Sequence, residues 1–213
     1  MTEQSIRICS LRAADGGARL VMNIEITAET GVEKKVLSPL VARLDALPGV
    51  GPISEGELAL YLAETTFADA LARAYRYLGA ADQSPVAMRK KLQAAGVPTG
   101  VAGEVLAYLT ETGLLDEERG ALREAEKCAA KLWGNRRVLA AIRAKGYGGA
   151  ALAAVAAYLG EQDATARCVR LIEKRRMALP AEEAQAARFA ATLMRYGYTG
   201  SEIKAAVRRL SIK

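Results

Sequence analysis

The chain has 213 residues, with 30 lysines and arginines against 24 aspartates and glutamates, three cysteines and no histidine. The absence of histidine excludes Ser-His-Asp catalysis and most zinc sites, and the spacing of Cys9, Cys128 and Cys168 matches no metal or redox motif. We expect buried, reduced thiols and a protein that is not an enzyme, with no catalytic, cofactor-binding or metal-ligating residue. The uncharged run over 148–160 is too short to cross a bilayer and no signal peptide is evident, so a cytoplasmic protein is expected.

The first 53 residues predict a small β-containing element. Apolar residues alternate with others over 20–26, just after the turn sequence Asp15-Gly16-Gly17. Alternation of period two beside an Asp-Gly turn predicts a β-hairpin. We expect a third strand over 32–37 and a short helix over 38–47, followed by a linker rich in proline and glycine.

Helical patterns begin at Ser54, which forms with Glu57 the Ser-x-x-Glu capping box of a helix start. One short pattern then occurs three times: an apolar residue, three further residues, a glycine and a bulky residue. The glycines, Gly96, Gly146 and Gly197, lie 50 and 51 residues apart. A fixed period of this length is typical of tandem repeats, and a glycine just past a helix ends it in the left-handed conformation.

Each copy of the pattern predicts three helices. The N-terminal element covers 1–53, a helical lead-in and the first repeat cover 54–113, the second repeat covers 114–160 and the third covers 161–213. The predicted fold class is mainly α: three tandem three-helix repeats in a curved, elongated array, preceded by a small β-hairpin or β-meander. The helices are expected at about 66–79, 85–96, 99–112, 117–132, 135–145, 149–159, 162–178, 181–196 and 200–210.

The second repeat resembles a known family. Residues 113–119 read Gly-Leu-Leu-Asp-Glu-Glu-Arg, residues 133–138 read Trp-Gly-Asn-Arg-Arg-Val, and residues 142–146 read Ile-Arg-Ala-Lys-Gly. In this order the segments resemble the RecX family of regulatory proteins, and the similarity extends over about 72–210. Gly120 departs from the family pattern, which usually has phenylalanine there, so a core aromatic is missing and the helix is weakened.

The resemblance implies a protein that modulates the RecA recombinase in DNA repair, recombination and the SOS response. RecX proteins are curved helical arrays that lie in the groove of the RecA–single-stranded DNA filament and bridge neighbouring protomers. They interfere with filament growth and depress ATP hydrolysis, strand exchange and coprotease activity. The same functions are therefore expected of this chain.

The basic residues are concentrated in the helical part. Residues 1–65 hold 6 basic and 9 acidic side chains, whereas residues 66–213 hold 24 and 15. Four cations with no acid occupy 135–145, and such a face favours a polyanionic or acidic partner. Arg195, Arg208 and Arg209 are further candidates. The residues proposed to bind RecA or DNA are Lys127, Lys131, Trp133, Arg136, Arg137, Arg143, Lys145, Arg170, Lys174, Arg175 and Arg176.

Alternatives remain for these residues and for the whole chain. Any one of the cations can be an ordinary solvated side chain, and Trp133 can either seal the junction of two helices or anchor an interface. A RecA-filament regulator is one hypothesis for the chain. The other is an independent helical-repeat protein that tracks the phosphates of DNA. We expect the RecA filament as partner, weak binding of single- and double-stranded DNA, no membrane, no cofactor and a monomer.

Overall fold

The computed structural model describes residues 5–212. Its N-terminal part is an antiparallel four-stranded sheet in the order β3-β2-β1-β4. The predicted hairpin and third strand are confirmed, but the helix expected over 38–47 is wrong, because only one 3-10 turn forms there. The strands are β1 (Ser5–Ala14), β2 (Arg19–Ala28), β3 (Gly31–Leu37) and β4 (Gly51–Pro52).

One face of the sheet is apolar and buried. Ile24 and Ile26 of β2 and Leu37 of β3 lie on this face and pack with Tyr61 of the following helix. The strand register shifts between Ile8 and Ser10, so Cys9 forms a bulge and its thiol is exposed. A bulge changes which residues face the core, and the expectation that all three cysteines are buried is therefore wrong for Cys9.

The described residues contain nine α-helices, so the expected mainly helical class with a β-containing N-terminus is confirmed. The lead-in and the first predicted helix form one continuous helix, and the first helix of repeat three ends four residues early, where Arg176 has a φ of 49°. No helix in the described range is long and apolar enough to span a bilayer. The helices are α1 (Glu55–Ala80), α2 (Pro85–Ala94), α3 (Thr99–Glu111), α4 (Glu117–Ala130), α5 (Asn135–Ala144), α6 (Gly149–Gly160), α7 (Ala164–Lys174), α8 (Glu183–Arg195) and α9 (Gly200–Ser211).

The chain forms two compact units. One holds the sheet, α1 and residues 89–108, and the other holds residues 81–88 together with the chain from residue 109 onward. The second unit contains two apolar cores, one for each of the last two repeats. Val138, Ile142 and Val155 are buried in the core of α4, α5 and α6, whereas Leu193 and Ile203 are buried in that of α7, α8 and α9.

Tyr147 occupies the space that Gly120 leaves in the core of repeat two. A Cβ atom on Gly120 would lie 3.0 Å from the hydroxyl oxygen of Tyr147. The ring is buried, and its hydroxyl has no hydrogen-bond partner within the described chain. The tyrosine that follows α5 therefore fills the space beside Gly120.

Candidate partner-binding site

Repeats two and three meet where the C-terminus of α8 faces the N-terminus of α5. The Gly134 N–H donates to the Tyr196 carbonyl at 2.8 Å, and the Arg136 N–H donates to the Gly197 carbonyl at 3.3 Å. A Cβ on Gly134 would lie 2.4 Å from the Gly197 carbonyl carbon, so only glycine fits. The carbonyl end of one helix thus satisfies the free N–H groups of the other, an arrangement that helix dipoles favour.

A row of alternating cations and aromatic rings lies at this junction; we call it the cation–aromatic strip. The Arg137 guanidinium carbon is 4.1 Å from the centroid of the Trp133 ring and 5.6 Å from that of Tyr196. The Lys131 ammonium is 5.6 Å from the Trp133 centroid, and the Arg175 guanidinium carbon is 5.8 Å from the Tyr196 centroid. These distances fall within the range of cation–π attraction. The strip therefore joins five side chains from both repeats.

The ends of helices position the strip. Lys131, Arg175 and Tyr196 are the C-terminal capping residues of α4, α7 and α8, and Arg137 lies in the first turn of α5. A cation at a helix C-terminus is stabilised by the helix dipole. Lys131 and Arg175 are thus held at favourable positions, and neither forms an ion pair with a carboxylate of residues 5–212.

Arg137 is the most constrained member of the strip. It is half-buried between the two rings, and its Nη1 donates to the Arg195 carbonyl at 3.3 Å. No carboxylate in residues 5–212 forms an ion pair with it. A guanidinium has five N–H donors, so an oriented group retains donors for an external carboxylate or phosphate.

Trp133 packs at the junction of α4 and α5, as the first of its two expected roles requires, and the interface role stays a prediction. Its half-buried ring packs against the core of repeat two and stacks with Arg137. The Trp133 carbonyl accepts a hydrogen bond from Arg167 Nη1 at 3.2 Å. Arg167 Nη1 also donates to Asn135 Oδ1 at 3.0 Å. Arg167 is buried in α7, so it connects repeat three to the start of α5. This contact fixes the segment that carries the strip.

Lys127 and Lys145 lie in a different environment, around the buried carboxylate of Glu124. Lys127 Nζ is 2.8 Å from Glu124 Oε1, and Lys145 pairs with Glu124 Oε2. Burial raises the pKa of Glu124, but its hydrogen bonds to the two lysines outweigh this effect and lower the pKa overall. Asp82 adds a second acid, 3.6 Å from Lys127. Both lysines thus belong to an intramolecular ion-pair network around Glu124 and are not part of the cation–aromatic strip.

The remaining candidates are exposed cations. Arg136 adjoins Arg137 in sequence, and Lys174 and Arg176 flank Arg175. Arg170 and Lys174 also line a shallow hollow beside Leu132. Among the described residues, no ion pair or side-chain hydrogen bond is formed by Arg136, Arg143, Arg170, Lys174 or Arg176.

Sequence reasoning missed Tyr196 and Glu124. Tyr196 precedes the third glycine, where the other repeats have Ala95 and Lys145, so an unusual aromatic was the available signal. Glu124 lies in α4, 21 residues before Lys145. A count of the charges in 135–145 therefore could not show that this acid pairs with Lys145. The described residues contain no cluster of acids and cysteines suited to a metal ion.

Comparison with known proteins gives a fold but no sequence family. No family model matches the chain, and no curated protein sequence matches it significantly. A crystal structure of the regulatory protein RecX aligns with this chain at a TM-score of 0.73 and 16% sequence identity. The alignment covers 94% of this chain and 98% of that RecX chain. The crystal structure of RecX from Lactobacillus salivarius aligns at a TM-score of 0.61 and 16% sequence identity. That alignment covers 70% of this chain and 98% of the RecX chain. The chain therefore has the fold of the RecX regulatory proteins, as the sequence resemblance predicted.

Proposed function

We propose that this protein is a cytoplasmic RecX-type regulator that binds the RecA–single-stranded DNA filament and lowers its ATPase, strand-exchange and coprotease activities. Segment 133–138 carries the proposal. It holds the RecX-like sequence motif, and it also supplies Trp133 and Arg137 to the cation–aromatic strip. Two of the five residues of the strip thus come from one of the segments that suggest the family.

The strip has the properties of an interface hot spot. Tryptophan, tyrosine and arginine are the residues that most often dominate binding energy at protein interfaces, and the strip contains all three. Arg137 is already oriented by two rings and a carbonyl, so binding costs less conformational entropy. Its planar donors match a carboxylate in bidentate geometry. An acidic surface of a RecA protomer is thus the partner that the strip fits best.

The charge distribution supports the same kind of partner. Residues 66–213 carry nine more basic than acidic side chains. Such an excess accelerates association with an acidic or polyanionic surface, and the acceleration decreases as salt is added.

A second function, direct DNA binding, is favoured by a different set of residues. Arg136, Arg143 and Lys174 are exposed and have no acidic partner in the described part of the chain. Cations of this kind suit phosphates, and binding through them would weaken steeply with salt. The two functions differ in one requirement: DNA binding needs no RecA.

The ATPase activity of RecA on single-stranded DNA tests the proposal. Increasing amounts of the protein should inhibit hydrolysis, and Arg137→Ala should raise the half-inhibitory concentration about tenfold or more. This variant keeps the Cβ that packs against Gly197, so its helical spectrum should be preserved, although the lost ring contacts should lower its unfolding midpoint slightly. Arg89→Ala is the matched control, because Arg89 is an exposed arginine of α2 outside the strip and outside the RecX-like segments. It should change inhibition less than twofold.

The outcomes separate the two functions. Absence of inhibition by the wild-type protein would refute the regulatory proposal, and equal potency of Arg137→Ala would remove the strip from the interface. A gel shift with single-stranded DNA, without RecA and at increasing salt, measures the second function. A protein that shifts DNA but leaves the RecA ATPase unchanged would be a DNA-binding module alone.

A further inference from the structure

Strand β3 forms an open edge of the N-terminal sheet. The strand order is β3-β2-β1-β4, and β3 pairs with β2 along Gly31–Leu37. No other strand in residues 5–212 pairs with its second side. In an antiparallel ladder every second residue bonds the neighbouring strand, so the other residues of β3 direct their N–H and C=O groups to this edge. Such an edge is a template for a further strand.

The side chains of β3 are unusual for a solvent-exposed edge. Val32 and Val36 are 55% and 66% exposed, and Lys34 lies between them on the same face. On the opposite face Glu33 and Lys35 form an ion pair at 3.3 Å. The edge therefore shows two valines on one face and one charge of each sign on the other.

We propose that β3 binds β3 of a second copy of this chain as an antiparallel pair centred on Lys34. This register matches the strand along its whole length of seven residues. It places Val32 opposite the partner's Val36, so four exposed valines become two apolar cross-strand pairs. It also places Glu33 opposite the partner's Lys35, and the symmetry forms this pair twice. Pairs of both kinds stabilise antiparallel sheets.

Neighbouring registers are worse. Directly paired residues of an antiparallel pair have their side chains on the same face of the sheet. The only alternative registers are therefore those in which each residue still lies opposite a residue of the same face. One such slip puts Glu33 opposite the partner's Glu33, and the other puts Lys35 opposite the partner's Lys35. The register centred on Lys34 has one unfavourable contact, between the two copies of Lys34. Glu25 lies directly opposite Lys34 on β2 and offsets this repulsion.

The expected dimer is weak. A pair of seven-residue strands buries less than the roughly 1,200 Å² that stable complexes need, so association should depend strongly on concentration. Lysines are a common protection of sheet edges, and Lys34 limits the affinity here. This inference is independent of the proposed RecA function, and it replaces the monomer expected from the sequence.

Sedimentation equilibrium at concentrations up to about 500 µM tests the dimer. The average mass of the wild-type protein should rise from one chain toward two. Lys34→Thr should strengthen association because it removes the like-charge contact. Lys35→Glu and Glu33→Lys should each weaken it about fivefold, because each turns two opposite-charge pairs into like-charge pairs. Lys90→Glu, a charge change at an exposed residue of α2, is the matched control and should have no effect.

A mixture of two variants gives the sharpest test. Equal amounts of Glu33→Lys and Lys35→Glu should associate more tightly than either variant alone, because both side-chain pairs at the mixed interface join opposite charges. Two results would overturn the inference: a one-chain mass for the wild-type protein at the highest concentration, or a mixture no tighter than its components.

Discussion

Removing one hydroxyl should stabilise this protein at one tyrosine and destabilise it at another. Tyr147 and Tyr198 each follow a repeat glycine and are both buried. The Tyr147 hydroxyl has no partner in the described chain, whereas the Tyr198 hydroxyl donates to the Leu132 carbonyl at 2.9 Å. Substitution by phenylalanine is therefore the same chemical change in two different environments.

The magnitudes follow from these environments. A buried hydroxyl without a hydrogen bond costs about 1–3 kcal/mol, so Tyr147→Phe should increase the free energy of unfolding by about 1 kcal/mol or more. Tyr198→Phe loses a hydrogen bond and leaves the Leu132 carbonyl without its donor. It should decrease the free energy of unfolding by about 1 kcal/mol. The two variants should thus lie on opposite sides of the wild-type protein.

Urea unfolding at neutral pH, followed by circular dichroism, measures both changes. The unfolding midpoint should rise for Tyr147→Phe and fall for Tyr198→Phe, with the same m-value for all three proteins. Gly120→Ala gives a second check, because its methyl group would press on the Tyr147 hydroxyl. Alanine should be tolerated better when Tyr147 is already phenylalanine. A lower midpoint for Tyr147→Phe than for the wild-type protein would refute the reasoning.

Three further outcomes are expected. Gly134→Ala should lower the free energy of unfolding by about 1–3 kcal/mol, because its methyl group would meet the facing helix end at 2.4 Å; an unchanged urea midpoint would contradict this. A thiol reagent should label only Cys9 in the folded protein and all three cysteines in urea, and rapid native labelling of a second thiol would be inconsistent with the fold. Burial raises the pKa of Tyr147 from 10 to about 12, so ionisation of this hydroxyl in the unfolded chain has no effect below pH 10 and lowers the free energy of unfolding as the pH rises from 10 to 12. Urea midpoints measured across this range should fall less for Tyr147→Phe, and an identical fall would argue against the shift.

Local signals predicted the helices well. The capping box expected at Ser54 is formed, Thr199 forms another with Glu202, and Ser84 accepts the Ala87 N–H as an N-cap. These interactions join residues three positions apart, so their residue types and spacing suffice to identify them. Most predicted helix ends accordingly lie within two residues of the observed ones.

Contacts between distant segments could not be predicted in this way. The strip depends on Arg137 lying between Trp133 and Tyr196, which are 63 positions apart in sequence. The Glu124 network and the pairing of Gly51 with Ile8 have the same character. The sequence indicated where basic residues are concentrated. Only the packing of α5 against the end of α8 shows that Arg137 is the one held between two rings.

Main-chain contact at the junction of Gly134 and Gly197 restricts how the last two repeats can evolve. The main chain of Gly134 contacts that of Gly197 directly, with no side chain between them. Substitution of either glycine would therefore disrupt the junction, and it could not change the angle between the two repeats gradually. At the end of α5 the contact is different, because there the side-chain hydroxyl of Ser84 donates to the Lys145 carbonyl at 2.7 Å. A molecule that contacts both of the last two repeats would therefore meet them at a fixed spacing.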